Sequence, residues 1–357
     1  MAAGKFSGIL SAFDRIPWSA ILVGFLLAAI AVMGVAFGKL AIQAAILGVS
    51  VGAVYVLGAS GLSLTYGIKK FANFAHGDMM TVGAYVAFAI TDSTEGLGQP
   101  FFAGVVAAIL AVAFLGIFLE LAIFRRLERR EPVAALIASV GVALILQNLL
   151  SLTFGADPKQ LPVVVPNDVS PGFGLSVNPV KEGVTISVAI VLIVFLHILL
   201  RYTTLGKAMR ACADDLDLAR SSGVNTRNVI LWTWGISGAL AAVAGVLVGV
   251  ITFLTPFAGF FLLLFIFAAV IIGGIGNPYG AMLGGLIVGI VQKLSSVVLT
   301  ALQAANILEG GSAYEPAGAF LAMIVVLLVR PQGIMGTARD QPGRRAIARR
   351  IRRAIWR

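Results

Sequence analysis

The stretch from Tyr66 to Tyr85, YGIKKFANFAHGDMMTVGAY, gathers the side chains best suited to chemistry in an otherwise apolar sequence. Asn73, His76 and Asp78 surround Gly77 at what reads as the start of a helix. Asn and Asp there satisfy free backbone N–H groups, and the helix dipole favours negative charge. The same N-terminus inside a membrane protein is also a device for holding a carboxylate. Cap, substrate contact and gate are all open readings of these residues. A second interruption, IGGIGNPYGAMLGGLIVGI, runs from Ile272 to Ile290. Asn277-Pro278 breaks the helix, and Gly280, Gly284, Gly285 and Gly289 mark close-packing faces. The two interruptions resemble one another weakly, which hints at an internal duplication, and discontinuous helices in corresponding halves point to a transport site.

Other polar side chains fall inside apolar runs: Gln147 with Asn148, His197, and Gln292 with Lys293. Packing between helices is the ordinary role of such groups. Lys293 at a helix centre costs about 2.5 to 3.5 kcal/mol, so it should face a wet cavity, snorkel or pair. Several chemistries are excluded. Cys212 is the single cysteine and His76 and His197 are the two histidines, too few for a metal cluster. The pairs Gly4-Lys5, Gly38-Lys39 and Gly206-Lys207 lack the rest of a phosphate loop. The chain is therefore not itself an ATPase, and no enzyme signature is present.

Composition sets the elements that must position these residues. Of 357 residues, 59% are hydrophobic and 12% charged, with a mean hydropathy of +0.99. A soluble domain carries about a quarter charged residues, so this is an all-α integral membrane protein. Apolar runs give about ten expected spans: 18–37, 40–67, 75–91, 100–124, 132–155, 183–200, 229–253, 257–276, 279–302 and 314–330, some of them interrupted or re-entrant. The first run lacks a cleavage site and is expected to remain as a span. An even count puts both termini on one side. With that side cytoplasmic, 22 of the 26 basic residues lie inside, as the positive-inside rule requires. The organisation is a cytoplasmic segment over 1–17, a membrane domain over 18–330 and a basic cytoplasmic tail over 331–357.

Residues 201–228 form the long cytoplasmic loop. Met209, Cys212 and Leu216 recur at helical spacing, Gly223 suits a left-handed helix end, and Asn225 suits a cap on the next segment. A short amphipathic docking helix is expected. The outer segment 156–182 holds five prolines and should be an extended lid. In the tail, Ile347, Ile351 and Ile355 oppose a run of arginines, which suits the lipids of an anionic inner leaflet rather than nucleic acid.

Taken as a set, Tyr66-Gly67, Asn73 to Asp78, Gly83-Ala84-Tyr85, Leu146-Gln147-Asn148, Arg210 to Asp215, Gly223-Val224-Asn225 and Gly273 to Gly276 resemble the branched-chain amino acid permeases of ABC importers. The likeness spans about Leu40 to Pro331. It implies an ABC importer permease fold in the inner membrane, pairing with a related but different permease chain, two cytoplasmic ATPases and an extracytoplasmic binding protein. ATP and Mg2+ would be bound by the ATPases, and no cofactor by this chain. It also implies alternating access, with Asn73, His76, Gly77, Asp78, Gln147, Asn148, Asn277 and Pro278 as candidates for the substrate path or gate. Gly206, Arg210, Asp214, Asp215, Arg220 and Gly223 match its ATPase-coupling loop. Relatives also import urea or short amides, and the span at 18–37, the arginine-rich tail and Lys293 have no counterpart in the resemblance. Two other classes compete: a passive channel built on half-helices beginning near Asn73 and Asn277-Pro278, and an ion-coupled transporter, for which intramembrane acids are scarce.

Overall fold

The computed structural model describes residues 31–35 and 37–336, together with Gly24 and Ala28, except for residues 129, 164, 171–174 and 308. Most of the expected first span and the basic tail lie outside the described residues. The rest is helical: α1 (Lys39–Lys69), α2 (Ala75–Thr91), α3 (Phe101–Ala122), α4 (Pro132–Phe154), α5 (Thr185–Tyr202), α6 (Thr204–Asp214), α7 (Leu216–Ser221), α8 (Thr226–Ile251), α9 (Ala258–Gly273), α10 (Pro278–Ala304) and α11 (Glu315–Val329).

Six of these, α1, α3, α4, α5, α8 and α10, are long and apolar enough to cross a membrane, two of them with a flanking turn. With α2, α9 and α11 they fall on nine of the ten expected stretches. The three shorter helices have 17, 16 and 15 residues. At 1.5 Å per residue none of them reaches about 30 Å, the thickness of the hydrocarbon core.

Among the six long spans, α1 and α8 are the most buried and α3 and α5 the least. Without a hydrophobic drive between helices in lipid, close backbone approach must hold such a bundle together. Glycines provide it. A Cβ on Gly289 would lie 2.4 Å from Gly52 Cα, and one on Gly285 2.7 Å from the Val56 nitrogen. On another face of α10, a Cβ on Gly284 would meet Ala269 O of α9 at 1.9 Å, so one helix is gripped from two sides.

Two expectations change here. The amphipathic helix over 201–228 is two helices, because Asp215 leaves helical geometry (φ −156°, ψ 112°) and caps α7 with its side chain. Asn277-Pro278 does not open a re-entrant half-helix: Asn277 caps α10, which continues for 27 residues after the turn from α9.

Candidate functional site

The segment around Asn73 folds as an interruption. α1 ends at Lys69, and Lys70 takes a left-handed conformation (φ 56°) that turns the chain back into the bundle. The next residues climb beside α1, so that His76 reaches Gly58, eleven residues before the end of α1 and about 16 Å along its axis. His76 Nε2 donates to Gly58 O at 2.9 Å. Because a carbonyl accepts, the ring hydrogen is on Nε2. Room for the imidazole comes from α1 itself, since a Cβ on Gly61 would lie 3.0 Å from His76 Cε1.

At the start of α2, Asn73 Oδ1 accepts from the Ala75 N–H at 3.1 Å, and the Phe74 N–H is taken by Ser139 Oγ of α4 at 3.0 Å. One turn on, Gln147 Nε2 donates to Asp78 Oδ1 at 2.9 Å. The cap reading of Asn73 therefore holds, while Asp78 pairs with another helix. All three side chains are buried, yet Asn73 Nδ2, His76 Nδ1 and Asp78 Oδ2 have no hydrogen-bond partner among the described residues. Orphaned polar atoms are rare in interiors and call for an explanation.

Gly77 brings a second helix N-terminus to the same place. A Cβ on Gly77 would stand 2.2 Å from Gly259 O, in the first turn of α9, and one on Gly259 would stand 2.2 Å from Gly77 O. Neither α2 nor α9 has a side-chain cap at its N-cap residue. Beside them lies a groove of about 410 Å³, walled by Phe74, Phe257, Phe260 and Phe261, with Gln147 as its polar lining residue. Ser139, Gly58, Gly61 and Gly259 were not singled out in the sequence, because small residues recur throughout these spans.

The remaining path candidates are elsewhere. Asn148 is exposed on the outer face of α4 and donates to Leu144 O of its own helix at 2.7 Å. Asn277 and Pro278 sit at the end of the bundle that carries α6 and α7, where Asn277 Nδ2 donates to Met335 O at 3.2 Å.

At that end the polar element packs as its spacing requires. Thr203 Oγ1 accepts from the Gly206 N–H at 3.0 Å, and Gly206 lies in the first turn of α6. A Cβ there would come within 2.1 Å of Leu199 O, so glycine lets α6 fold back on α5. Met209 and Cys212 are buried, and burial pushes the Cys212 thiol up from its ordinary pKa. Gly223 is left-handed (φ 85°), and Asn225 Oδ1 accepts from the Asn228 N–H at 3.2 Å. Arg210, Asp214 and Asp215 are exposed. Arg220 also contacts Glu128, at 3.4 Å. Leu218, 64% exposed, is an apolar side chain on the free face of α7. The element is joined to α1 by Lys70, whose Nζ donates to Ala213 O at 2.9 Å, next to a buried pair of Lys69 and Glu120 at 2.6 Å.

At the opposite end the proline-rich segment is extended and anchored. Lys159 bridges to Leu254, Val169 to Val177, and Ser176 to Gln43 of α1. Asp92 is held below the usual carboxylate range by the Glu95 N–H and then by Thr94. Lys293 pairs with Glu315 at 2.7 Å, which is one of the three outcomes expected for it.

A family model described as branched-chain amino acid transport system / permease component matches residues 44–329. The high-affinity branched-chain amino acid transport system permease protein LivH of Escherichia coli K12 is 36% identical over 299 residues, covering 81% of this chain and 93% of that one. BraD of Pseudomonas aeruginosa, of the same description, is 34% identical over 309 residues, covering 83% and 95%. LivM of Escherichia coli K12 is 25% identical over 312 residues, covering 81% and 69%. With the match running from the second turn of α1 to the end of α11, the chain belongs to the family of branched-chain amino acid transport permease components.

Proposed function

We propose that this chain is one of two permease chains of an ATP-driven importer that carries branched-chain amino acids, or closely related small solutes, into the cytoplasm. It works in the inner membrane beside a related but different permease, two ATPases that bind ATP and Mg2+, and an extracytoplasmic binding protein. Likeness to both LivH and LivM supports a mixed pair. The positive-inside bias supports ten spans with α6, α7 and both termini in the cytoplasm, leaving the outer segment for the binding protein.

The observation that carries the reading is the start of α2 within the bundle, with buried, partly unpaired Asn73, His76 and Asp78 around Gly77. Such interrupted helices accept anionic groups at their N-termini, and a zwitterionic substrate presents a carboxylate. Asp78 and Gln147 are assigned to its ammonium end, and the phenylalanine-walled groove to its aliphatic side chain. Alternating access then requires α6 and α7 to follow the ATPases, with Lys70 handing their displacement to a segment three residues from Asn73.

Reconstitution of both permeases and both ATPases in liposomes, with the binding protein added, tests this. ATP-driven uptake of labelled leucine that depends on the binding protein is expected. The meeting of two helix N-termini at Gly77 and Gly259 is the observation in favour of a passive channel. Leucine entry at equal rates with and without ATP would establish that second reading.

A further inference from the structure

Between the α6-bearing ends of α1, α5, α8 and α10 lies a cavity of about 350 Å³, bordered by residues of the coupling loop and by Asn277 and Pro278. Arg210 and Asp214 of α6 line it, one turn apart, together with Ser63 and apolar Leu200, Met209 and Pro278. Opposite charges four residues apart on a helix can pair, though an arginine ahead of an aspartate is the weaker order. Here neither Arg210 nor Asp214 forms an ion pair with any described residue. Ser63 is fully buried and its Oγ has no hydrogen-bond partner. Two unpaired opposite charges thus border one partly apolar chamber, with the buried Ser63 behind its wall.

We propose that this cavity binds a free α-amino acid with an aliphatic side chain, its carboxylate on Arg210, its ammonium on Asp214 and its side chain against Leu200, Met209 and Pro278. The inference rests on the importer reading for the identity of the ligand. A small ion would satisfy one of the two charges, and a lipid tail neither; a zwitterion satisfies both and fills the apolar wall. Because α6 supplies both charges, product on this side is placed to hold the coupling element and slow further import.

Equilibrium binding of labelled leucine to the purified permease–ATPase complex, without binding protein or nucleotide, tests the site. Saturable binding is expected, weakened about tenfold by each of R210Q and D214N, since each removes one charge-assisted contact. In the wild-type complex, 4-methylpentanoate and isoamylamine, which keep one charge each, should compete about tenfold less well than leucine. Absence of saturable binding, binding indifferent to both substitutions, or equal competition by the single-charge analogues overturns the proposal. ATP-driven leucine uptake by the same wild-type components reports on the importer reading separately: uptake without cavity binding removes only this inference.

Discussion

Gln147 of α4 donates to Asp78 Oδ1 of α2 at 2.9 Å, and the second carboxylate oxygen, Oδ2, is left unpaired beside it. Packing uses one oxygen, so the other is what a path would use. Asp78→Asn keeps an acceptor for Gln147 while removing the charge. Normal assembly is expected, with leucine uptake reduced about tenfold, the scale of one lost charge-assisted contact. Asp78→Ala strands Gln147 as well and should lower stability by about 1 to 3 kcal/mol. Uptake by Asp78→Asn at the wild-type rate would assign the pair to packing alone.

Lys70 is a non-glycine residue at φ 56°, a conformation that ordinarily selects glycine or asparagine. Its ammonium on Ala213 O gives a reason for lysine there. Lys70→Gly keeps the backbone turn without strain but cuts the tether. The complex should assemble as well as the wild type, yet transport about fivefold less solute per ATP hydrolysed, and Lys70→Arg should recover part of the loss. A Lys70→Gly complex with an unchanged ratio of uptake to hydrolysis would leave the tether without a role.

Local chemistry was legible in the sequence wherever one residue type answers one backbone need. Gly223 and Asn225 take the conformations their types suggest, Asn73 caps, one of the three readings its position left open, and Met209 and Cys212 turn inward because the loop has a polar face to contrast with them. Inside the spans that contrast vanishes. In α4 almost every side chain is apolar, so nothing in the pattern says which way the helix is rotated, and Gln147 ended in the bundle while its neighbour Asn148 faces out. The same limit hid the meeting of Gly77 with Gly259, a contact between residues far apart in the chain. Asn277-Pro278 resembled the first interruption in composition, but the length of the helix that follows makes it an ordinary turn.

The seam between α1 and α10 predicts a packing phenotype. Gly289→Val places its Cβ 2.4 Å from Gly52 Cα, where backbone and not a side-chain tip must yield. Overpacking of this kind destabilises by about 1 to 3 kcal/mol. Gly141→Val serves as the comparison, since nothing stands within 4 Å of a Cβ there. A lowered melting temperature for Gly289→Val but not for Gly141→Val is expected in purified protein. Equal behaviour of the two would mean that the helices are not packed at that seam.

Lys293 and Glu315 form a half-buried pair that also engages Gln292, which in turn accepts from the Tyr55 hydroxyl at 2.8 Å. Removing one member leaves the other charged and unpaired in the span, whereas removing both does not. Glu315→Gln should therefore destabilise, by less than the about 3 to 5 kcal/mol of a fully buried pair because this one is part-exposed, and adding Lys293→Met to it should restore most of that loss. The double-mutant cycle is read from thermal midpoints. Additive losses would show that the two charges act independently.

Asp215 lies in the loop that matches the ATPase-coupling loop, and its Oδ1 accepts from the N–H groups of Asp217 and Leu218 at 3.0 and 2.9 Å and so starts α7. That gives it a different route to coupling. α7 is a six-residue helix, too short to persist on propensity alone, and it presents Leu218 outward. If the cap matters because it shapes α7, Asp215→Asn should couple like the wild type, since asparagine caps as well as aspartate. Asp215→Ala should lose about 1 kcal/mol of local stability and a corresponding several-fold of ATP-driven uptake, and Leu218→Asp should lose binding of the ATPase to assembled permease. Equal uncoupling in Asp215→Asn and Asp215→Ala would instead return the role to the charge, and the helix would then be only its support.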